Sequence, residues 1–73
     1  MNILVINGPN LNLLGERHPE IYGRETLDDL MDWLRNTPKG LKQNFKVYQS
    51  NHEGNIIDYI QDNRQWADGI IIN

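Results

Sequence analysis

Two short runs in the chain, Ile3-Leu4-Val5-Ile6 and Ile70-Ile71-Ile72, contain no polar position. A strand with one face in water alternates apolar and polar residues, whereas a strand covered on both faces need not. Both runs therefore read as interior strands of a parallel sheet. Parallel neighbours cannot be joined by a tight turn and need a crossover, usually a helix. The intervening sequence supplies two helical segments and one further strand, so the predicted order is β-α-β-α-β.

Thr26 is a good N-cap for the first helix, with Asp28 and Asp29 in the first turn, where the helix dipole favours acids. Leu27, Leu30, Met31 and Leu34 follow at i, i+3, i+4 and i+7, a stripe expected to pack in the core. Trp33 lies off that stripe and is expected to meet a neighbouring element, and Pro38 and Gly40 stop the helix or break it. Phe45-Lys46-Val47-Tyr48-Gln49-Ser50 alternates through its first half, which suits a strand at a sheet edge. Ser50 stands three residues before Glu53, a capping-box spacing that predicts a second helix with Ile56, Ile57 and Ile60 inward. Trp66-Ala67 is expected to cover its end, and Asp68-Gly69 turns the chain into the last strand.

Right-handed crossovers place both helices by rule, and the patterning puts the second strand at an edge and the first and third inside. That is the start of the 2-1-3-4-5 strand order of flavodoxin-like α/β folds. Two strands of that order have no counterpart in these 73 residues, so 1–73 is expected to be a single, incomplete domain whose third strand keeps one open side. A chain this short buries only about 60% of the surface that its unfolded form exposes.

Between the first strand and the first helix lies the stretch from Asn7 to Gly23. It is about three times the usual strand-to-helix connection of 2–6 residues, and connections that long in compact domains are usually functional or disordered. Three Gly, two Pro and three Asn point to specified turns. Ligands of α/β sheets sit beyond the carboxyl ends of the strands, which is where this loop begins. Its segment 16–23 is polar apart from Ile21 and flanked by glycine, as a lid would be.

There is no cysteine, and His18 and His52 are not at metal-ligand spacing, so no disulfide and no metal site is expected. A net charge of −3 argues against a nucleic-acid partner. No apolar run approaches the roughly 20 residues of a membrane helix, and no stretch reads as a signal peptide, so the expected location is the cytoplasm.

Several residues in and around the loop admit two readings. Tyr22 is a packing residue or a general base; a phenol with an ordinary pKa near 10 serves as a base near neutrality only if a cation favours its anion. Arg17 and Arg24 are close enough in sequence to be that cation, although Arg17 equally suits a surface role. Asn10 and Asn12 suit side-chain caps of the turn. Asn73 follows the third strand at its carboxyl end, where an asparagine serves a turn or holds a water or a substrate oxygen. The Gly-Pro-Asn run lacks both phosphate-loop spacings. His52 and Glu53 could form an acid/base pair, but a helix cap accounts for Glu53 more simply.

Taken together, Asn7-Gly8-Pro9-Asn10-Leu11-Asn12-Leu13-Leu14-Gly15, Arg17, Tyr22-Gly23 with Thr26-Leu27, Gln49-Ser50-Asn51-His52-Glu53-Gly54 and Gly69-Ile70-Ile71-Ile72-Asn73 resemble type II 3-dehydroquinate dehydratase, the type II dehydroquinases, along the whole chain and in order. The resemblance implies a flavodoxin-like fold and a hydro-lyase that converts 3-dehydroquinate to 3-dehydroshikimate and water in the shikimate or quinate pathways. It implies no metal and no organic cofactor, and a homo-oligomer in which trimers assemble into a dodecamer. By position, Tyr22 matches the family's base, which removes a proton from the carbon next to the ketone. Arg17 matches the loop arginine that favours the tyrosinate and stabilises the transition state. Asn10 matches a loop asparagine near the base, and Asn73 an asparagine that binds substrate and helps hold a water near the enolate oxygen. The motif from Ser50 to Gly54 matches no catalytic role and is expected to shape a turn, a helix start or a subunit contact. The family's acid for the leaving hydroxyl and its carboxylate-binding groups have no counterpart here, and His52 does not match that acid. The chain thus looks like the amino-terminal half of such an enzyme. The alternative is a catalytically inactive fragment that serves as an oligomerisation or binding module.

Overall fold

Strand β1, Asn2–Asn7, is the middle strand of a three-stranded parallel sheet, between β2, Asn44–Gln49, and β3, Gly69–Ile72. The structure is a computed structural model that describes residues 1–16 and 23–73. A short 3₁₀ turn, Leu11–Leu13, follows β1. Helix α1 spans Leu27–Asn36, a second 3₁₀ turn Gly40–Lys42, strand β2 Asn44–Gln49, helix α2 Glu53–Asp62 and strand β3 Gly69–Ile72. The expected β-α-β-α-β order and the expected 2-1-3 arrangement are both present.

The pleat explains why β1 has no polar alternation. Register pairs Ile6 with Tyr48 and Ile72, and Asn7 with Gln49. Paired residues in a sheet point to the same face, and successive residues to opposite faces. The Asn7 side chain reaches Met31 of α1, so Asn7 and Val5 face α1. Ile6 and Leu4 then face α2, where Tyr48 stacks on Tyr59 with ring centroids 4.2 Å apart and planes within 7°. Both faces being covered, Leu4, Val5 and Ile6 are all buried. On the same α2 side, Lys46 lies over the Trp66 ring at 4.4 Å and its Nζ donates to Asn63 Oδ1 at 3.0 Å.

Helix α1 starts as its sequence predicts. The Thr26 hydroxyl accepts from the Asp29 N–H at 3.1 Å, and Asp29 Oδ2 accepts from the Thr26 N–H at 2.9 Å, a reciprocal capping box. The helix ends at Asn36, before Thr37-Pro38. Gly40 is buried against this end, its N–H donating to Thr37 Oγ1 at 3.0 Å; a Cβ there would run into the Leu34 carbonyl oxygen.

Four expectations need correction. The apolar stripe of α1 is not wholly in the core: Met31 is buried, Leu27 and Leu34 are half-buried, and Leu30 is exposed. Three strands give α1 too narrow a floor to bury the full stripe. Trp33 meets no neighbouring element among the described residues and is 68% exposed. Ile57 is exposed while Ile56 and Ile60 are half-buried, because the aromatic pair Tyr48–Tyr59 takes the space against β2. Finally, α2 is capped at His52 with no side-chain cap bond. Ser50 does not cap the helix, because its Oγ accepts the His52 N–H at 3.0 Å and closes a local turn instead.

Strand β3 has a partner on one side only among the described residues. Ile70, Ile71 and Ile72 are 45%, 46% and 71% exposed, which is the open side expected of the third strand.

Candidate active site

All three strands of the sheet end at the same edge, and the chain places amide-bearing residues at each end: Asn7 after β1's apolar run, Gln49 at the end of β2 and Asn73 beyond β3. Backbone hydrogen bonds tie these ends together. The Asn73 N–H donates to the Ile6 carbonyl at 2.8 Å, and the Gly8 N–H donates back to the Asn73 carbonyl at 3.1 Å. The Ser50 N–H donates to the Asn7 carbonyl at 3.1 Å. The ladder thus runs one step past each strand and fixes the first residues of the loops that leave it.

Side-chain amides then brace the loop that follows β1. Gln49 Nε2 donates to the Gly8 carbonyl at 3.2 Å and to Asn51 Oδ1 at 3.1 Å. The same Asn51 oxygen accepts the Asn10 N–H at 2.9 Å. Asn10 itself is left-handed, with φ 69°, a conformation that asparagine tolerates better than most side chains. Its side chain makes no cap bond, so Asn10 is held by its backbone, not by the side-chain cap expected of it. That leaves the exposed Asn10 carboxamide without a structural duty in the turn.

Further along, Gly15 has φ 89° and Gly23 φ 88°, so both glycines occupy backbone conformations that L side chains rarely adopt. A Cβ at Gly15 would stand 2.7 Å from the Arg24 carbonyl oxygen and 2.8 Å from that of Glu25. The chain therefore passes against itself on either side of residues 17–22. A cleft of about 400 Å³ opens here, lined by Asn12, Leu14, Glu16, Thr26, Asp28 and Gln49. It is bounded by the loop, the start of α1 and the end of β2.

Of the four residues expected to form the site, Asn10 and Asn73 are brought to this edge, linked through Gly8, Gln49 and Asn51. Arg17 and Tyr22, and the lid expected of segment 16–23 for the most part, lie outside the described residues. Among the described residues no group of three or more His, Asp or Glu stands close enough to hold a metal. No helix among them is long and apolar enough to cross a membrane.

Three residues that sequence reasoning gave no individual role prove to organise the edge: Asn7, Gln49 and Asn51. Asn7 carried a usable signal, since a polar residue closing a fully apolar strand must find partners when buried. Its side chain is wholly buried; Asn73 Nδ2 donates to its Oδ1 at 3.2 Å and its own Nδ2 approaches Met31 Sδ at 3.7 Å. The motif from Ser50 to Gly54 shapes a turn and a helix start, as expected of it.

The family model of class II dehydroquinases matches residues 1–73. A 3-dehydroquinate dehydratase of Prochlorococcus marinus (strain MIT 9301) is 55% identical over 73 residues, covering 100% of this chain and 50% of the relative. One from Halothermothrix orenii is 49% identical over 71 residues, covering 97% and 48%. Among solved structures, the type II dehydroquinase from Butyrivibrio crossotus superposes with a TM-score of 0.86 at 50% identity, over 100% of this chain and 51% of that one. The type II dehydroquinase from Propionibacterium acnes gives 0.82 at 38% identity, over 99% and 50%. The chain spans about half the length of the relatives that it matches.

Proposed function

The chain belongs to the class II dehydroquinase family, and from that premise we propose that the protein dehydrates 3-dehydroquinate to 3-dehydroshikimate. The supporting observation is structural: the loop bearing Asn10 and the residue that ends the chain's matched segment, Asn73, meet at the carboxyl edge of the sheet through the Gly8–Asn73 hydrogen bond of 3.1 Å. Ligands of α/β folds bind at that edge.

In this reading Tyr22, as the phenolate, takes a proton from the carbon next to the ketone. The electron pair of that C–H bond moves toward the ketone oxygen and forms an enolate. Arg17 favours the phenolate and the developing negative charge. Asn10 lies near the base, with its backbone fixed by Asn51 and its carboxamide unused by the turn. Asn73 binds substrate and helps hold a water near the enolate oxygen. Preorganised hydrogen-bonding groups at that oxygen lower the barrier, because they need no reorganisation as charge builds. Return of the electron pair then expels the leaving hydroxyl as water, a step that needs an acid matched by none of these residues. Closure of the loop carrying Arg17 and Tyr22 would exclude bulk water from the site and keep only the water held near the enolate oxygen. The same reading has the protein work in the cytoplasm on a small-molecule substrate, without metal or organic cofactor, as trimers assembled into a dodecamer.

The test is a direct assay. The native protein is incubated with 3-dehydroquinate, and the conjugated ketone of the product is followed by its ultraviolet absorption. Turnover that is lost in Tyr22→Phe supports the reading, and a protein that binds substrate without turnover sinks it. One observation favours the other reading, a non-catalytic module: the exposed Ile70-Ile71-Ile72 edge is a surface suited to association. That module would associate through β3 and show no dehydration under any condition.

A further inference from the structure

Asn7 is buried to 0% exposure, yet it sits at the end of β1 beside Asn73. Its two polar atoms have different partners, and the difference is informative. A thioether sulfur has no hydrogen and can only accept. Asn7 must therefore turn its Nδ2 toward Met31 Sδ, 3.7 Å away, which leaves Oδ1 for Asn73. That oxygen can only accept, so Asn73 must answer with Nδ2, at 3.2 Å. Neither carboxamide can flip without placing oxygen against oxygen or oxygen against sulfur. Among the described residues no group donates a hydrogen bond to Asn73 Oδ1.

We infer that Asn7 is a positioning residue: through its buried contact with Met31 it fixes the Asn73 carboxamide with the acceptor oxygen turned to the substrate. This rests on the reading of Asn73 as a substrate-binding group. It adds which end of Asn73 is offered. The group received there is a hydrogen-bond donor, a water or a substrate hydroxyl. A water that donates one hydrogen to Asn73 Oδ1 keeps its other hydrogen for the enolate oxygen. The relay also explains a cost that the fold otherwise bears for nothing, since a carboxamide buried between apolar strands and a helix is unfavourable unless its hydrogen bonds are kept.

The test is a double-mutant cycle in the native protein, with kcat and KM for dehydration measured beside urea midpoints. Asn7→Leu keeps the approximate volume and removes the acceptor. It is expected to lower kcat by about 10–100-fold, the loss typical when a residue that orients a metal-binding side chain is removed. KM stays near its wild-type value if the group received is the water at the enolate oxygen, and rises if it is a substrate hydroxyl, which is already bound in the ground state. In an Asn73→Ala background the same substitution should cost nothing further. Met31→Leu, a volume-conserving change, should lower kcat in the same direction by less, and it carries the test if Asn7→Leu does not fold. Wild-type kcat in Asn7→Leu, or in Met31→Leu where only that variant folds, would overturn the inference while a slow Asn73→Ala left the substrate contact standing. Losses at the two asparagines that multiply would also overturn it. Wild-type kcat in Asn73→Ala would remove the substrate contact itself, and the positioning role with it.

Discussion

Asn10 and Asn51 are joined by one hydrogen bond, from the backbone N–H of the first to Oδ1 of the second at 2.9 Å. It ties the loop after β1 to the turn after β2, and Asn51 spends the same oxygen on Gln49 Nε2 at 3.1 Å. Asn51→Ala removes both bonds at once. The site is exposed, so water replaces much of what is lost, and the expected destabilisation is about 1 kcal/mol. Activity should fall more than stability, because the left-handed Asn10 loses its anchor. Urea unfolding and steady-state kinetics on the same preparation separate the two effects. Equal activity with the expected loss of stability would detach Asn10 from the chemistry.

Tyr22→Phe deletes one hydroxyl and keeps the ring. Proton transfer by a positioned group typically contributes about 10²–10⁴-fold, so a loss of that size is expected in the native protein with its far-ultraviolet circular dichroism unchanged. A drop of less than about tenfold would rule out Tyr22 as the base.

Thr26→Ala breaks the capping box with Asp29, whose two bonds measure 3.1 and 2.9 Å. The expected cost is about 1 kcal/mol, read as a lower urea midpoint at unchanged slope. Thr26→Ser restores the acceptor oxygen and should recover most of it. A stable Thr26→Ala protein would mean that α1 is held by packing alone.

Self-association of the 73-residue chain through the β3 edge is expected, since Ile70, Ile71 and Ile72 combine open backbone groups with apolar side chains. Sedimentation velocity should show species heavier than the monomer that increase with concentration. Ile71→Lys places a charge on the strand and should shift the distribution to monomer. A wild-type chain that sediments as a monomer throughout would contradict this.

The sheet was readable in the sequence because its signals are local and strong. Unbroken apolar runs have few uses besides a covered strand, and Thr26 is the expected N-cap of α1. The errors arose where a residue had two local options or depended on distant cover. Ser50 has the spacing of a helix cap, but its hydroxyl closes the nearer turn onto His52. Leu30 and Trp33 carry apolar side chains, yet three strands do not offer enough surface to bury them, and Ile57 yields its place against β2 to the Tyr48–Tyr59 pair. The site was half legible. Asn10 and Asn73 stood out through resemblance, whereas Asn7, Gln49 and Asn51 act through contacts between strand ends that no spacing along the chain reveals.

The approach of Gly15 to the Arg24 and Glu25 carbonyls has a bearing on how this protein could diversify. It forms a neck: the connection between β1 and α1 is closed at Gly15 before the chain reaches the helix. A closed neck separates the length of what lies between from the geometry of what lies beneath. Lengthening a loop whose ends already meet costs entropy only as the logarithm of its size, roughly 0.6 kcal/mol per doubling. Residues 17–22 can therefore vary in number while the sheet and the first helix keep their places. The glycine at the neck cannot vary in the same way, because any side chain there would hold the neck open.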